Sequence, residues 1–143
     1  MKYLAVFYAS RIRKAGNQFL TNELEKAGLK GIVPSHGDII KCLLMFGAMS
    51  MQELAKKVDR TKATVTVLID KLEKLELVKR TRSSKDNRVT LIELTQKGLD
   101  FKPVFEKISH DLNEKAYKGF STEEAELVET LMDRIRKNLV LIF

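Results

Sequence analysis

Between Tyr3 and about Ala27, apolar residues recur at mixed three- and four-residue spacing: Leu4, Phe7, Ile12, Ala15, Phe19, Leu20 and Leu24. That period predicts one long amphipathic helix, and Gly28 supplies its stop. Pro34 then stands where a first helical turn tolerates the missing N–H, and Ile39, Ile40, Leu43, Leu44 and Phe46 make a strongly apolar second helix that closes at Gly47. Ser50-Met51-Gln52-Glu53 has capping-box spacing, in which the serine and glutamate side chains satisfy backbone donors left free at a helix start, and it predicts a short third helix to about Val58. Thr61 caps a fourth helix with Val65, Leu68, Ile69, Leu72 and Leu75 on one face and Lys62, Thr66, Asp70 and Lys74 on the other.

The helical period is lost between Leu77 and Leu94. Two β-prone runs, Leu77 to Thr81 and Val89 to Leu94, flank the polar segment Arg82 to Arg88 and predict a β-hairpin with a basic tip. From Thr95, a single further helical stretch is expected through Phe101, Val104, Phe105, Ile108 and Leu112, ending at Gly119. Ser121 to Glu124 repeats the capping-box spacing and opens a last helix with Ala125, Val128, Leu131, Ile135 and Leu139 along one side, followed by an apolar tail from Leu139 to Phe143.

At 143 residues, with 44% hydrophobic and 31% charged residues, the chain has the size and composition of one globular domain. Its net charge of +7 is uneven: residues 98–143 are net acidic, and the positive charge lies before them. Lys79, Arg80, Arg82, Lys85 and Arg88 stand within ten residues, opposed only by Asp86, a cluster that attracts a polyanion. A single cysteine excludes an internal disulfide framework, and with two histidines it is too little for a structural zinc site, so no metal and no cofactor are expected. Cys42 sits in the apolar run Ile39 to Phe46, where a thiol behaves as a small buried hydrophobe. His36 at a helix start and His110 near Asp111 and Glu114 are assigned capping or surface roles. No nucleophile-and-base motif occurs, so no catalytic residue is assigned. Neither a signal peptide nor a bilayer-spanning run is found, and the expected compartment is the cytoplasm, with no membrane partner.

The order of elements carries the functional reading. A short capped helix, a brief turn, an amphipathic helix and a basic hairpin make a winged helix-turn-helix with a two-stranded wing, in a mainly α fold. An α-helix fits the major groove of B-DNA, so the second helix of such a motif needs one apolar face for packing and one face of small, polar or basic side chains. Thr61 to Leu75 has both. Its candidate DNA contacts are Thr61, Lys62, Ala63, Thr64, Thr66 and Val67, with lysine and threonine able to serve bases or phosphates and Ala63 and Val67 able to touch a thymine methyl. Double-stranded DNA is therefore the expected partner. A winged-helix module for protein contacts is the alternative that the fold also allows.

The segments Leu54 to Val58, Thr64 to Thr66, Leu68 to Glu73 and Leu77 to Arg80 resemble the DNA-binding core of the MarR family of bacterial and archaeal regulators. Asp86-Asn87-Arg88, followed after five residues by Leu94-Thr95 and Gln96-Lys97-Gly98, is similar to that family's D-x-R wing running into an L-T-x-x-G helix start. The resemblance implies a transcriptional regulator, by default a repressor on a palindromic operator. It implies a DNA-binding lobe over residues 34–97, framed by residues 1–33 and 98–143 as dimerisation helices of a homodimer. On the wing it implies that Asp86 stiffens the loop by holding Arg88, while Arg82, Lys85 and Arg88 reach phosphates or the minor groove. Val67 departs from the pattern, because many relatives place a polar residue there. The resemblance further implies a small lipophilic or aromatic effector between the dimer helices and the lobe, with Tyr8, Arg11, His36 and Phe46 as lining candidates. Relatives that sense peroxide carry their cysteine in the first helix, where this chain has none.

Overall fold

A computed structural model describes residues 2–140, so the end of the apolar tail, residues 141–143, lies outside the described residues. Contacts divide the chain into two compact units, Met1–Ser109 and His110–Phe143. In the first, helix α1 (Ala5–Lys26) is followed by α2 (Pro34–Phe46), strand β1 (Met49–Ser50), α3 (Met51–Lys57), α4 (Lys62–Lys74), β2 (Val78–Arg82), β3 (Thr90–Leu94), α5 (Gln96–Asp100) and most of α6 (Lys102–Ala116). The fold is the expected one, mainly helical with a β wing.

The core of this unit gathers one face from each element. Ile32, Ile39, Ile40, Leu54, Val65, Ile69, Leu72, Leu77 and Ile92 are all sealed from solvent, and only Leu24 of α1 joins them as a buried residue. Burying such side chains contributes roughly 1.5–3 kcal/mol each, which makes the faces of α2 and α4 the main anchors of the lobe.

Two tight turns set the path around α4, and both use a non-glycine residue in the left-handed region. At Asp59 (φ 54°) the Arg60 N–H reaches back to the Ala55 carbonyl at 3.0 Å, which ends α3 and turns the chain into α4. At Glu76 (φ 61°) the Leu77 N–H reaches the Leu72 carbonyl at 3.0 Å and turns α4 into the wing. In each case the back-bond satisfies a carbonyl that a helix end would otherwise leave free.

The sheet has one strand more than the sequence predicts. β2 and β3 pair antiparallel from Val78 opposite Leu94 to Arg82 opposite Thr90, and β1 adds to the other edge of β3 with Met49 opposite Ile92. Two residues after the break at Gly47 are too few for an alternating pattern to reveal a strand. The helical stretch expected from Thr95 is also split, at Phe101, into α5 and α6. Pro103 explains the break: it has no N–H for the Leu99 carbonyl.

In the second unit, α6 ends and Gly119 turns the chain at φ 85° into α7 (Thr122–Val140). Ser121 and Glu124 exchange bonds as a capping box, at 2.9 and 3.1 Å. Tyr117 donates to Glu129 at 2.8 Å and meets Phe120 edge-on. α7 buries none of its described residues: Leu127, Leu131, Met132, Ile135, Leu139 and Val140 all stand exposed.

Candidate nucleic-acid interface

α4 is seated by Val65, Ile69 and Leu72, which have no solvent exposure. At 100° per residue the line opposite them is Ala63, Val67, Asp70 and Lys74, all exposed. Thr61, Lys62 and Thr64 are exposed at the start of the helix and Thr66 is half-buried. Thr61 caps the helix, its Oγ1 accepting the Thr64 N–H at 3.2 Å and donating to Thr64 Oγ1 at 3.0 Å. The Thr66 hydroxyl donates to the Lys62 carbonyl at 2.8 Å. The first turn of α4 holds no acidic side chain, so its positive helix end and Lys62 meet no opposing charge there.

The wing tip is ordered by its own side chains. Arg82 Nη1 donates to the Asn87 carbonyl at 2.7 Å across the hairpin, and the Lys85 N–H donates to Ser83 Oγ at 3.2 Å. Asp86 Oδ1 accepts both the Arg88 backbone N–H at 3.0 Å and its Nε at 3.2 Å. These bonds from Arg88 hold the Asp86 carboxyl below the usual carboxylate range. The Arg88 side chain remains 91% exposed, and Arg82 and Lys85 are exposed as well. A charged loop thus spends its backbone freedom on local bonds while keeping its cations in water.

The reading of the sequence did not assign the ties that join wing to helix. Arg80 on β2 donates to Asp70 at 2.7 Å and lies 3.4 Å from Glu73, both on α4. At the wing's base, Lys97 Nζ donates to the Leu75 carbonyl at 2.9 Å and the Thr95 hydroxyl donates to the Glu76 carbonyl. The Thr95 N–H reaches the Leu77 carbonyl at 3.0 Å. Gly98 lies so close to Leu77 that a Cβ there would overlap its carbonyl oxygen. The L-T-x-x-G stretch is therefore a clamp on the C-terminal turn of α4. The signal for Arg80 is the i, i+3 pair of carboxylates on α4, ten and seven residues before it.

The four residues named as effector candidates occupy different settings. Arg11 lines a hollow of about 430 Å³ along α1 with Phe7, Ser10, Lys14, Ala15 and Gln18, and its guanidinium lies 5.5 Å from the Phe7 ring centre. Tyr8, exposed, meets Phe7 edge-on. His36 is buried, with Nδ1 accepting the Val33 N–H at 3.0 Å, and Phe46 is exposed under the Lys57 ammonium at 4.1 Å. Burial, with the Lys71 charge acting the same way, keeps the His36 pKa below its ordinary value. Cys42 is buried in α2 beside Met49, and burial pushes its thiol up. Among the described residues no group of three His, Cys, Asp or Glu could hold a metal ion, and no helix is long and apolar enough to cross a membrane.

Residues 32–90 match the sequence model of the MarR family. Over 130 residues, 90% of this chain and 87% of the relative, the sequence is 27% identical to the HTH-type transcriptional regulator MhqR of Bacillus subtilis. It is 32% identical over 105 residues to the HTH-type transcriptional repressor MdtR of the same organism, covering 71% of this chain and 64% of that one. Among solved structures, a MarR transcriptional regulator from Methanosarcina mazei Go1 superposes with a TM-score of 0.82 at 22% identity, covering 99% of this chain and 100% of the other. A mutant MarR from E. coli, complexed with operator DNA, gives a TM-score of 0.75 at 17% identity over 90% of each chain.

Proposed function

We propose that this chain, whose residues 32–90 match the MarR family model, is a cytoplasmic member of that family, a repressor that binds a palindromic operator as a homodimer. One observation carries the reading: α4 is seated on the core by one face, its opposite face is open, and Arg80 ties it to a wing whose cations stay exposed. In this reading Thr61, Lys62, Ala63, Thr64, Thr66 and Val67 meet the major groove. Arg82, Lys85 and Arg88 meet flanking phosphates, and Asp86 stiffens the loop that presents them. The relative named MdtR is a repressor and the E. coli neighbour was solved on operator DNA, which supports the direction of the proposal.

Residues 34–97 form the DNA-binding lobe, and residues 1–33 and 98–143 make the dimer. Exposed Val6, Phe7, Tyr8 and Ile12 on α1 of the first unit, and separately the exposed apolar side chains of α7 in the second, are surfaces that a second copy would cover. Two lobes about one helical turn of DNA apart, roughly 34 Å, would then read the two half-sites. Occupying a promoter blocks transcription, and a small apolar or aromatic effector held beside Arg11 on α1 would relieve it by biasing the spacing of the lobes.

Fluorescence anisotropy on duplex DNA across a salt series tests the proposal. Arg82→Ala combined with Arg88→Ala removes four phosphate contacts per dimer, so the slope of log K against log salt should become shallower by about 3 to 4. An unchanged slope rejects the wing assignment, and absence of duplex binding at low salt rejects the regulator.

A further inference from the structure

The residues of α4 run KATVTVLIDKLEK and include no arginine, asparagine, glutamine, histidine or serine. Arginine reads guanine, and asparagine or glutamine reads adenine, through paired hydrogen bonds to the base edge. The helix proposed to enter the groove carries neither arginine nor an amide reader, and of its lysines, which can also reach guanine, Lys62 stands at its first residue. Its one carboxylate on the outer line, Asp70, is held by Arg80 at 2.7 Å. Its hydroxyls bond locally: the Thr66 hydroxyl donates to the Lys62 carbonyl, and the Thr64 hydroxyl accepts from Thr61 at the N-cap.

What the N-terminal half of α4 offers along its outer line is apolar. Ala63 is exposed there, and Val67 follows one turn later with 68% of its surface in solvent. A β-branched residue at an exposed helix position is a poorer helix former than alanine, and Val67 contributes nothing to the core in return. An exposed apolar pair flanked by Lys62 fits a surface that is itself apolar but set in a polyanion. Of the four bases, only thymine presents such a group in the major groove, its C5-methyl.

Resting on the regulator reading above, we infer that Ala63 and Val67 seat thymine C5-methyl groups, so that thymine methyls set part of the operator half-site beside the contacts Lys62 donates. Deoxyuridine keeps every hydrogen-bonding group of thymidine and lacks only that methyl, so it isolates the contact.

The full chain is first used to select bound duplexes from a random library. Each thymine of the selected half-site is then replaced in turn by deoxyuridine. At one or two positions affinity should fall about fourfold, the value of one buried methyl, and on the order of fifteenfold when the change is made in both half-sites. Val67→Ala, which leaves the core untouched, should bind the thymine duplex more weakly and lose that sensitivity to deoxyuridine. Selective binding that no deoxyuridine substitution alters overturns the inference while the regulator stands. So does a loss that Val67→Ala leaves unchanged, or sensitivity confined to 7-deazaguanine. A library from which no sequence is enriched overturns the regulator reading, and this inference with it.

Discussion

Replacing Gly98 by alanine sets two effects against each other. In the interior of a helix alanine is favoured over glycine by about 1 kcal/mol, so propensity alone predicts a more stable protein. Sterics predict the reverse: the new Cβ would overlap the Leu77 carbonyl oxygen and come within 3.1 Å of Leu94 Cδ2. Neither neighbour has room to yield. Leu77 is sealed in the core, and its carbonyl accepts the Thr95 N–H at 3.0 Å, so α5 can retreat only by stretching that bond. Forcing an extra group into a packed site costs about 1–3 kcal/mol, and a weakened hydrogen bond adds about 1 kcal/mol. After the helix-propensity gain, a net loss of about 1–3 kcal/mol remains. For a domain of this size, that lowers Tm by roughly 3–10 °C in thermal circular dichroism at matched protein concentration. Because Thr95 and Lys97 hold the last turn of α4, DNA affinity should fall in the same variant. A Tm equal to or above that of the parent chain would refute the steric argument and the clamp built on it.

Local chemistry made much of this architecture readable in advance. Ser50, Thr61 and Ser121 mark helix starts because a hydroxyl that bonds the third following N–H is visible as a residue type at a fixed spacing. The hairpin showed itself because the helical period is lost after Leu75 and two β-prone runs flank the polar segment Arg82 to Arg88. Contacts between elements were not readable in this way. The pairing of Arg80 with Asp70 and Glu73 depends on how β2 lies along α4, and β1 exists only because Met49 meets Ile92 across the sheet. The break at Phe101 is legible only through Pro103, whose missing N–H interrupts an otherwise continuous helical period. His36 shows a further limit: as a residue type it suits a ligand site, and burial with a backbone bond commits it to the start of α2.

The buried His36 ring is neutral in the native state, with a pKa held below the ordinary 6.5 mainly by burial. The unfolded chain therefore takes up the proton first, so this stabilising contribution is complete above that value and lost as pH falls below it. Urea melts between pH 7 and 5 should show stability declining in the parent chain and a flatter profile in His36→Gln. Glu76 holds a left-handed conformation at φ 61°, which costs a side-chain-bearing residue about 1 kcal/mol. Glu76→Gly should therefore raise the urea midpoint despite glycine's larger unfolded-state entropy, and a lowered midpoint would contradict the turn geometry. Cys42 should react with a disulfide reagent only as fast as the native structure opens, and rapid labelling of the folded protein would place its thiol at the surface.

The central claim is that the open face of α4 chooses the sequence while the wing supplies grip. Sequence selection from a random duplex library tests it most directly, with the parent chain compared against Lys62→Ala with Thr66→Ala and against Arg82→Ala with Arg88→Ala. The account predicts a changed half-site preference for the α4 pair, and weaker binding to an unchanged preference for the wing pair. Identical enriched sequences from all three proteins would contradict it.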